Sequence, residues 1–178
     1  MRYIALLRAV NVGGRQVKMD RLRALFEELR FRSVETFIAS GNVIFDATGK
    51  AQAIESKIEK HLFESLGFDV PTLVRSAEDF SVAAAHVPFP ALPPLTKAGG
   101  LYVGFLKSAP ASDGPAKLEA FSGGGNTFAL HGRELYWRAE DRQSVIAIPI
   151  AKFERALGCP ATFRNVTTVQ KIAERYCA

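Results

Sequence analysis

Four prolines within seven residues, Pro88, Pro90, Pro93 and Pro94, followed by Gly99-Gly100, interrupt the chain near its middle. Proline lacks an amide hydrogen and fixes φ, so neither a helix nor a central strand runs through such a stretch. The 178 residues therefore read as an α+β subdomain over 1–87, a Pro/Gly-rich linker over 88–100, and a second α+β subdomain over 101–178. A hydrophobic content of 48% with 23% charged residues suits folded domains with real cores and excludes a disordered chain. With no run of about 18 apolar residues, no membrane span is expected. The N-terminus reads as a strand and carries no signal-peptide pattern, so a cytoplasmic location is the expectation.

On either side of the prolines the pattern of elements repeats. Residues 3–10 are β-type with little polarity, which predicts a central strand buried on both faces. Leu22, Leu25, Phe26 and Leu29 fall on one helical stripe, with Asp20 as a plausible N-cap. Two short β-type runs, 33–39 and 43–46, meet at Ser40-Gly41-Asn42, a tight-hairpin signal. Ile54, Ile58, Leu62 and Leu66 form a second stripe ended by Gly67. A strand over 70–74 and a capping box at Ser76-Ala77-Glu78-Asp79 follow. After the linker come a strand (101–107), a helix (113–121), and a hairpin around Gly132-Arg133. A helix carrying Ile150, Phe153 and Leu157 has Pro149 in its first turn and stops at Gly158. A short strand (161–163) and a last amphipathic helix complete the order. Two ferredoxin-like βαββαβ units in tandem fit this order, with antiparallel sheets and helices packed on one face. Faint echoes support it: Tyr3-Ile4-Ala5-Leu6-Leu7-Arg8 parallels Tyr102-Val103-Gly104-Phe105-Leu106-Lys107, and Arg75-Ser76 parallels Arg164-Asn165.

In that topology the exit of the first strand and the hairpin after the second lie at one end of the sheet. Arg8, Asn11, Gly13, Gly14, Arg15 and Lys18 would then meet Ser40, Gly41 and Asn42. Glycines let backbone approach a ligand, a helix N-terminus adds partial positive charge, and the cations offer charge-assisted contacts to an oxyanion. The same residue types also suit plain turns. The pattern is neither G-x-x-x-x-G-K-[ST] nor G-x-G-x-x-G. Arg164, Asn165 and Thr168 begin the last helix. Asn165 or Thr167 reads as a cap with Arg164 on the surface, or the group forms a second anion site or a clamp on the first loop.

Charge points the same way. Residues 1–32 hold eight Lys/Arg against three carboxylates, which accounts for the whole formal charge of +5; the remainder holds 15 of each sign. Local positive charge attracts phosphates and acidic partners. Cys159 and Cys177 have no Cys-x-x-Cys partner, so free thiols are expected and no metal site. His61, His86 and His131 are scattered, with His61 expected to be partly packed. No G-x-S-x-G elbow supports a hydrolase triad. The run 101–106 has the look of a short RNA-stacking motif, but its companion pattern is absent.

The phrases Leu-Arg-Ala-Val-Asn-Val-Gly-Gly (7–14), Phe-Ile-Ala-Ser-Gly-Asn-Val-Ile-Phe (37–45), Val-Pro-Thr-Leu-Val-Arg-Ser (70–76) and Thr-Phe-Arg-Asn-Val-Thr-Thr-Val (162–169) together resemble the bacterial domain-of-unknown-function family 1697. The resemblance implies a two-part α+β fold with a ferredoxin-like portion and no settled activity; it carries over no catalytic residues and leaves any cofactor open. The matching positions are Arg8, Asn11, Gly13, Gly14, Ser40, Gly41, Asn42, Arg164, Asn165 and Thr168. The chain departs from the family pattern at Ala9, where Gly is usual. It departs again at Val166-Thr167, where the pattern reads Trp-Asn, and at 141–146, where a Gly-x-x-Ser-Lys-like segment is usual. These readings lead to one expectation: a small phosphate- or carboxylate-bearing ligand, such as a nucleotide, held by the 8–18 and 40–42 loops. The alternatives are a nucleic-acid-binding module using the basic N-terminal face, and a protein-interaction scaffold using a sheet edge.

Overall fold

An uninterrupted apolar run from Tyr3 to Leu7 forms β1 (Arg2–Leu7) in the structure, a computed structural model that describes residues 1–38 and 41–177. The chain divides into two units: Met1–Val82 with the C-terminal stretch from Lys171, and Ala83–Gln170. In the first, β1 is followed by α1 (Met19–Glu28), β2 (Arg32–Phe37), β3 (Asn42–Asp46), α2 (Ala51–Leu66) and β4 (Thr72–Ser76), and α3 (Ala77–Ala85) begins in it. The sheet order is β2-β3-β1-β4 with antiparallel neighbours throughout. That is the order a βαββαβ chain reaches through right-handed crossovers.

The second unit holds β5 (Gly100–Leu106), α4 (Gly114–Glu119), β6 (Asn126–His131), β7 (Glu134–Ala139), α5 (Arg142–Ala147), α6 (Ile150–Leu157) and β8 (Ala161–Asn165); α7 (Val166–Tyr176) begins in it. Its sheet order, β6-β7-β5-β8, repeats the first. The sequence echoes fall in register. Tyr3 faces Ser76 and Ile4 faces Arg75, as Tyr102 faces Asn165 and Val103 faces Arg164. The Arg8 and Lys107 amides donate to the carbonyls of Pro71 and Pro160.

Alternation along the strands sends one face of each sheet toward helices. Tyr3, Ala5, Leu7, Val43, Phe45 and Val74 meet Leu22, Leu25 and Phe26 of α1 and Ile54, Ile58 and Leu62 of α2. Full burial of each large side chain contributes about 1.5–3 kcal/mol. In the second unit Leu135, Trp137, Ala139 and Ala161 meet Leu118, Phe153 and Leu157. The opposite faces are buried as well: Ile4, Leu6, Ile44 and Leu73 are fully covered. This is the two-faced burial expected of β1. Gly67 and Gly158 end α2 and α6 in the left-handed conformation, at φ 79° and 73°.

The outer edges of β4 and β8 are closed by helix carboxylates. Glu59 and Glu55, one turn apart on α2, accept the amides of Thr72 and Val74 at 2.9 and 2.8 Å. Glu154 of α6 accepts that of Ala161 at 2.9 Å. Unpaired edge amides invite another strand, so this capping discourages pairing there.

Several local expectations are corrected. The hairpin connection runs from Ile38 to Gly41, because Phe37 already pairs with Asn42, the first residue of β3. Ser40 and Ala39 lie outside the described residues. Asp20 is not the N-cap of α1; Lys18 is, without a side-chain capping bond. Asp20 pairs with Arg23 at 3.3 Å instead. β1 ends at Leu7, short of Val10, since Ala9 adopts φ 56°. Helix α5 was not anticipated, although Asp141 caps it through the Ser144 amide at 2.8 Å. Pro149 is the residue before α6, not inside its first turn, and Ile150 is 41% exposed. Ser76 does cap α3, accepting the Asp79 amide at 3.1 Å and donating to its carboxylate at 2.7 Å.

Candidate functional site

The loop between β1 and α1 is shaped by its own side chains. Asn11 Oδ1 accepts the Val17 amide at 2.7 Å and the Arg15 amide donates to the Val12 carbonyl at 3.2 Å. Gly13 and Gly14 take φ 64° and 83° at the exposed tip. Val17 alone of these turns inward, 6% exposed. Between the Asn11 staple and the start of α1 lies an open basin of about 770 Å³, lined by consecutive residues from Asn11 to Met19.

Two of the expected cations stand at this basin. The Arg15 guanidinium lies 4.4 Å from the centre of the Phe68 ring. Stacking of this kind fixes the plane while leaving in-plane N–H donors for an anion. Lys18 is exposed at the N-terminus of α1. Arg8, half-buried at the end of β1, has its amide bonded to Pro71 at 2.9 Å. Because Lys18 supplies no side-chain cap, the first-turn amides of α1 keep the positive end of the helix dipole open.

The hairpin loop reaches the same end of the sheet. Gly41 accepts the Leu7 amide at 2.8 Å, and a Cβ there would stand 2.9 Å from Val10 Cγ1. Asn42, expected as a ligand contact, is fully buried and donates to the Phe37 carbonyl at 2.9 Å. It holds the hairpin. Asn11 likewise organises its own loop, so the exposed candidates here are Gly13, Gly14, Arg15 and Lys18.

Arg164, Asn165 and Thr168 belong to the other unit. Arg164 is not a surface group: it is 8% exposed and donates to Thr162 Oγ1 and the Phe163 carbonyl, both at 2.9 Å. Burial lowers its pKa to about 10. Asn165 caps α7, accepting the Thr167 amide at 2.9 Å. Thr168 is half-buried on the first turn.

The histidines are less scattered than their spacing suggested. His86 and His131 stack with ring centres 4.4 Å apart, and Tyr136 lies 4.8 Å from His86. The Tyr136 hydroxyl donates to the Ala83 carbonyl at 2.9 Å, and burial raises its pKa. His61 lies 2.9 Å from Glu28. Among the described residues no group of three or more His, Cys, Asp or Glu could hold a metal ion. No helix among them is long and apolar enough to cross a membrane. The Phe68 platform was missed because nothing in its spacing links it to Arg15 across the intervening sequence.

The fold is thus that of a two-unit α+β protein with a basic β1–α1 loop. The family described as Protein of unknown function (DUF1697) matches residues 1–136, and the chain belongs to that family. Among solved structures it is similar to the conserved bacterial protein SP0830 from Streptococcus pneumoniae, at 22% identity and a TM-score of 0.76 over 97% of each chain. No curated protein matches.

Ala9 permits a direct test of strain at this loop. A left-handed alanine costs about 1–2 kcal/mol, while glycine adds about 0.5–1 kcal/mol of unfolded-state entropy. Ala9 is exposed, so Ala9→Gly loses no packing and is expected to stabilise the protein by roughly 0.5–1 kcal/mol. The urea midpoint followed by far-UV ellipticity reads this out; a lower midpoint would refute the strain.

Proposed function

We propose that this protein binds a small phosphate- or carboxylate-bearing ligand in the basin between β1 and α1. Arg15 and Lys18 supply charge, and the backbone of Gly13 and Gly14 and the open first turn of α1 supply hydrogen bonds. The observation that carries this reading is the Asn11-stapled loop standing ahead of α1, whose N-cap, Lys18, makes no side-chain capping bond. The nucleic-acid alternative is weaker, because part of the N-terminal charge is already paired. Arg2 meets Asp46 at 3.2 Å, Arg21 meets Glu28 at 2.9 Å and Arg23 meets Asp20 at 3.3 Å. The two free cysteines fit a reducing compartment and support a cytoplasmic location.

Thermal shift with inorganic phosphate, citrate and adenosine monophosphate tests the proposal, with an Arg15→Ala/Lys18→Ala double variant beside the wild type. Both side chains are exposed, so the variant should fold. An anion at 100 times its dissociation constant adds about 2.7 kcal/mol, a shift of many degrees for a unit of this size. The expected result is a shift in the wild type that the double variant lacks. Equal responses, or none, would remove the loop as a binding site. Asn11→Ala is a poor probe, since it would loosen the loop whether or not a ligand exists.

A further inference from the structure

Between α6 and the C-terminal end of α4 in the second unit lies an open groove of about 520 Å³ lined by Lys117, Ala120, Phe121, Lys152, Arg155 and Ala156. The spacing explains its chemistry. Lys152, Arg155 and Ala156 stand at i, i+3 and i+4 on one face of α6, while Lys117 lies in the last turn of α4 and Ala120 and Phe121 in the turn that follows it. The alanines leave the gap between the helices unfilled. Phe121 is half-buried, its ring edge-to-face with Phe153 at 6.0 Å, and it provides an aromatic wall. Lys117, Lys152 and Arg155 are all exposed and form the rim.

The charge of this rim rests on Lys152 and Arg155, since Lys117 is already paired with Asp113 at 2.6 Å. Glu154 accepts the Ala161 amide. Glu119 lines a separate hollow with Pro115 and Leu118. Neither Lys152 nor Arg155 has a carboxylate partner among the described residues. An apolar floor under converging cations, at a volume usual for small-molecule sites, selects a ligand with a flat apolar body and one anionic group. We propose that the α4–α6 groove is a second binding site, for a small aromatic anion such as an aryl phosphate or aryl carboxylate.

Calorimetric titration with 1-naphthyl phosphate tests this, with inorganic phosphate and 1-naphthol as charge-only and apolar-only controls. The intact molecule should bind saturably, and each control at least tenfold more weakly. Lys152→Gln/Arg155→Gln, at exposed positions, should weaken binding about tenfold or more. Ala120→Leu should abolish it by filling the floor while leaving the melting temperature unchanged. Absence of saturable binding overturns the proposal. So does binding that survives both variants, or binding lost in Arg15→Ala/Lys18→Ala, which would assign the ligand to the first unit's loop.

Discussion

Phe153→Ala is expected to destabilise the second unit by about 3–5 kcal/mol, the range for truncating a fully buried phenylalanine. Phe153 is 0% exposed and sits among four other rings. Trp137 lies at 5.1 Å, Phe128 and Phe163 at 5.4 Å, and Phe121 at 6.0 Å. Removing it forfeits both the burial of the ring and these contacts, each worth about 0.5–1.5 kcal/mol beyond area. The cavity is bounded by large rings whose own packing resists collapse, so the loss belongs toward the upper end. Trp137 is the single tryptophan of the chain, and its fluorescence during urea unfolding reports on this cluster. A change in unfolding free energy under 1 kcal/mol would mean that the ring cluster is not the centre of this unit.

What could be read in the sequence was what local pattern dictates. The helical stripes, the glycine caps Gly67 and Gly158, the capping box at Ser76 and the two-residue turn at Gly132-Arg133 all follow from spacing over a few residues. The echo of Tyr3-Ile4 in Tyr102-Val103 carried more than its weak identity suggested, since both pairs occupy the same register against Arg75 and Arg164. The candidate site was legible as a place, because βαββαβ topology alone brings the two loops together. Its inner workings were not. Asn11 and Asn42 looked like ligand groups because an exposed amide and a stapling amide have the same residue type; only the positions of Val17 and Phe37 separate them. Phe68 under Arg15 and His86 beside His131 depend on tertiary packing that no short-range spacing encodes. Helix α5 was missed for a different reason: at six residues it is too short to show a stripe, and only the Asp141–Ser144 cap signals it.

Gly41→Ala is the second large effect, expected at about 2–4 kcal/mol. At φ 79° any side chain carries the left-handed cost of about 1–2 kcal/mol. The remainder comes from crowding, because the new Cβ would stand 2.9 Å from Val10 Cγ1, 3.1 Å from Leu7 Cβ and 3.3 Å from the Leu7 carbonyl oxygen. Overpacking of this kind costs about 1–3 kcal/mol, and two of the three atoms belong to the end of β1, which cannot give way without disturbing the Leu7–Gly41 hydrogen bond. Gly13→Ala separates the two contributions. Gly13 has φ 64° but nothing within 4 Å of its Cβ position, so only the conformational cost of about 1–2 kcal/mol applies. Urea unfolding followed by far-UV ellipticity should place Gly41→Ala well below Gly13→Ala in stability. Equal losses would show that backbone conformation accounts for the whole effect and that the hairpin is not packed against the end of β1. A larger loss at Gly41 would tie the hairpin loop to the strand that launches the basic loop, so that pressure on one displaces the other.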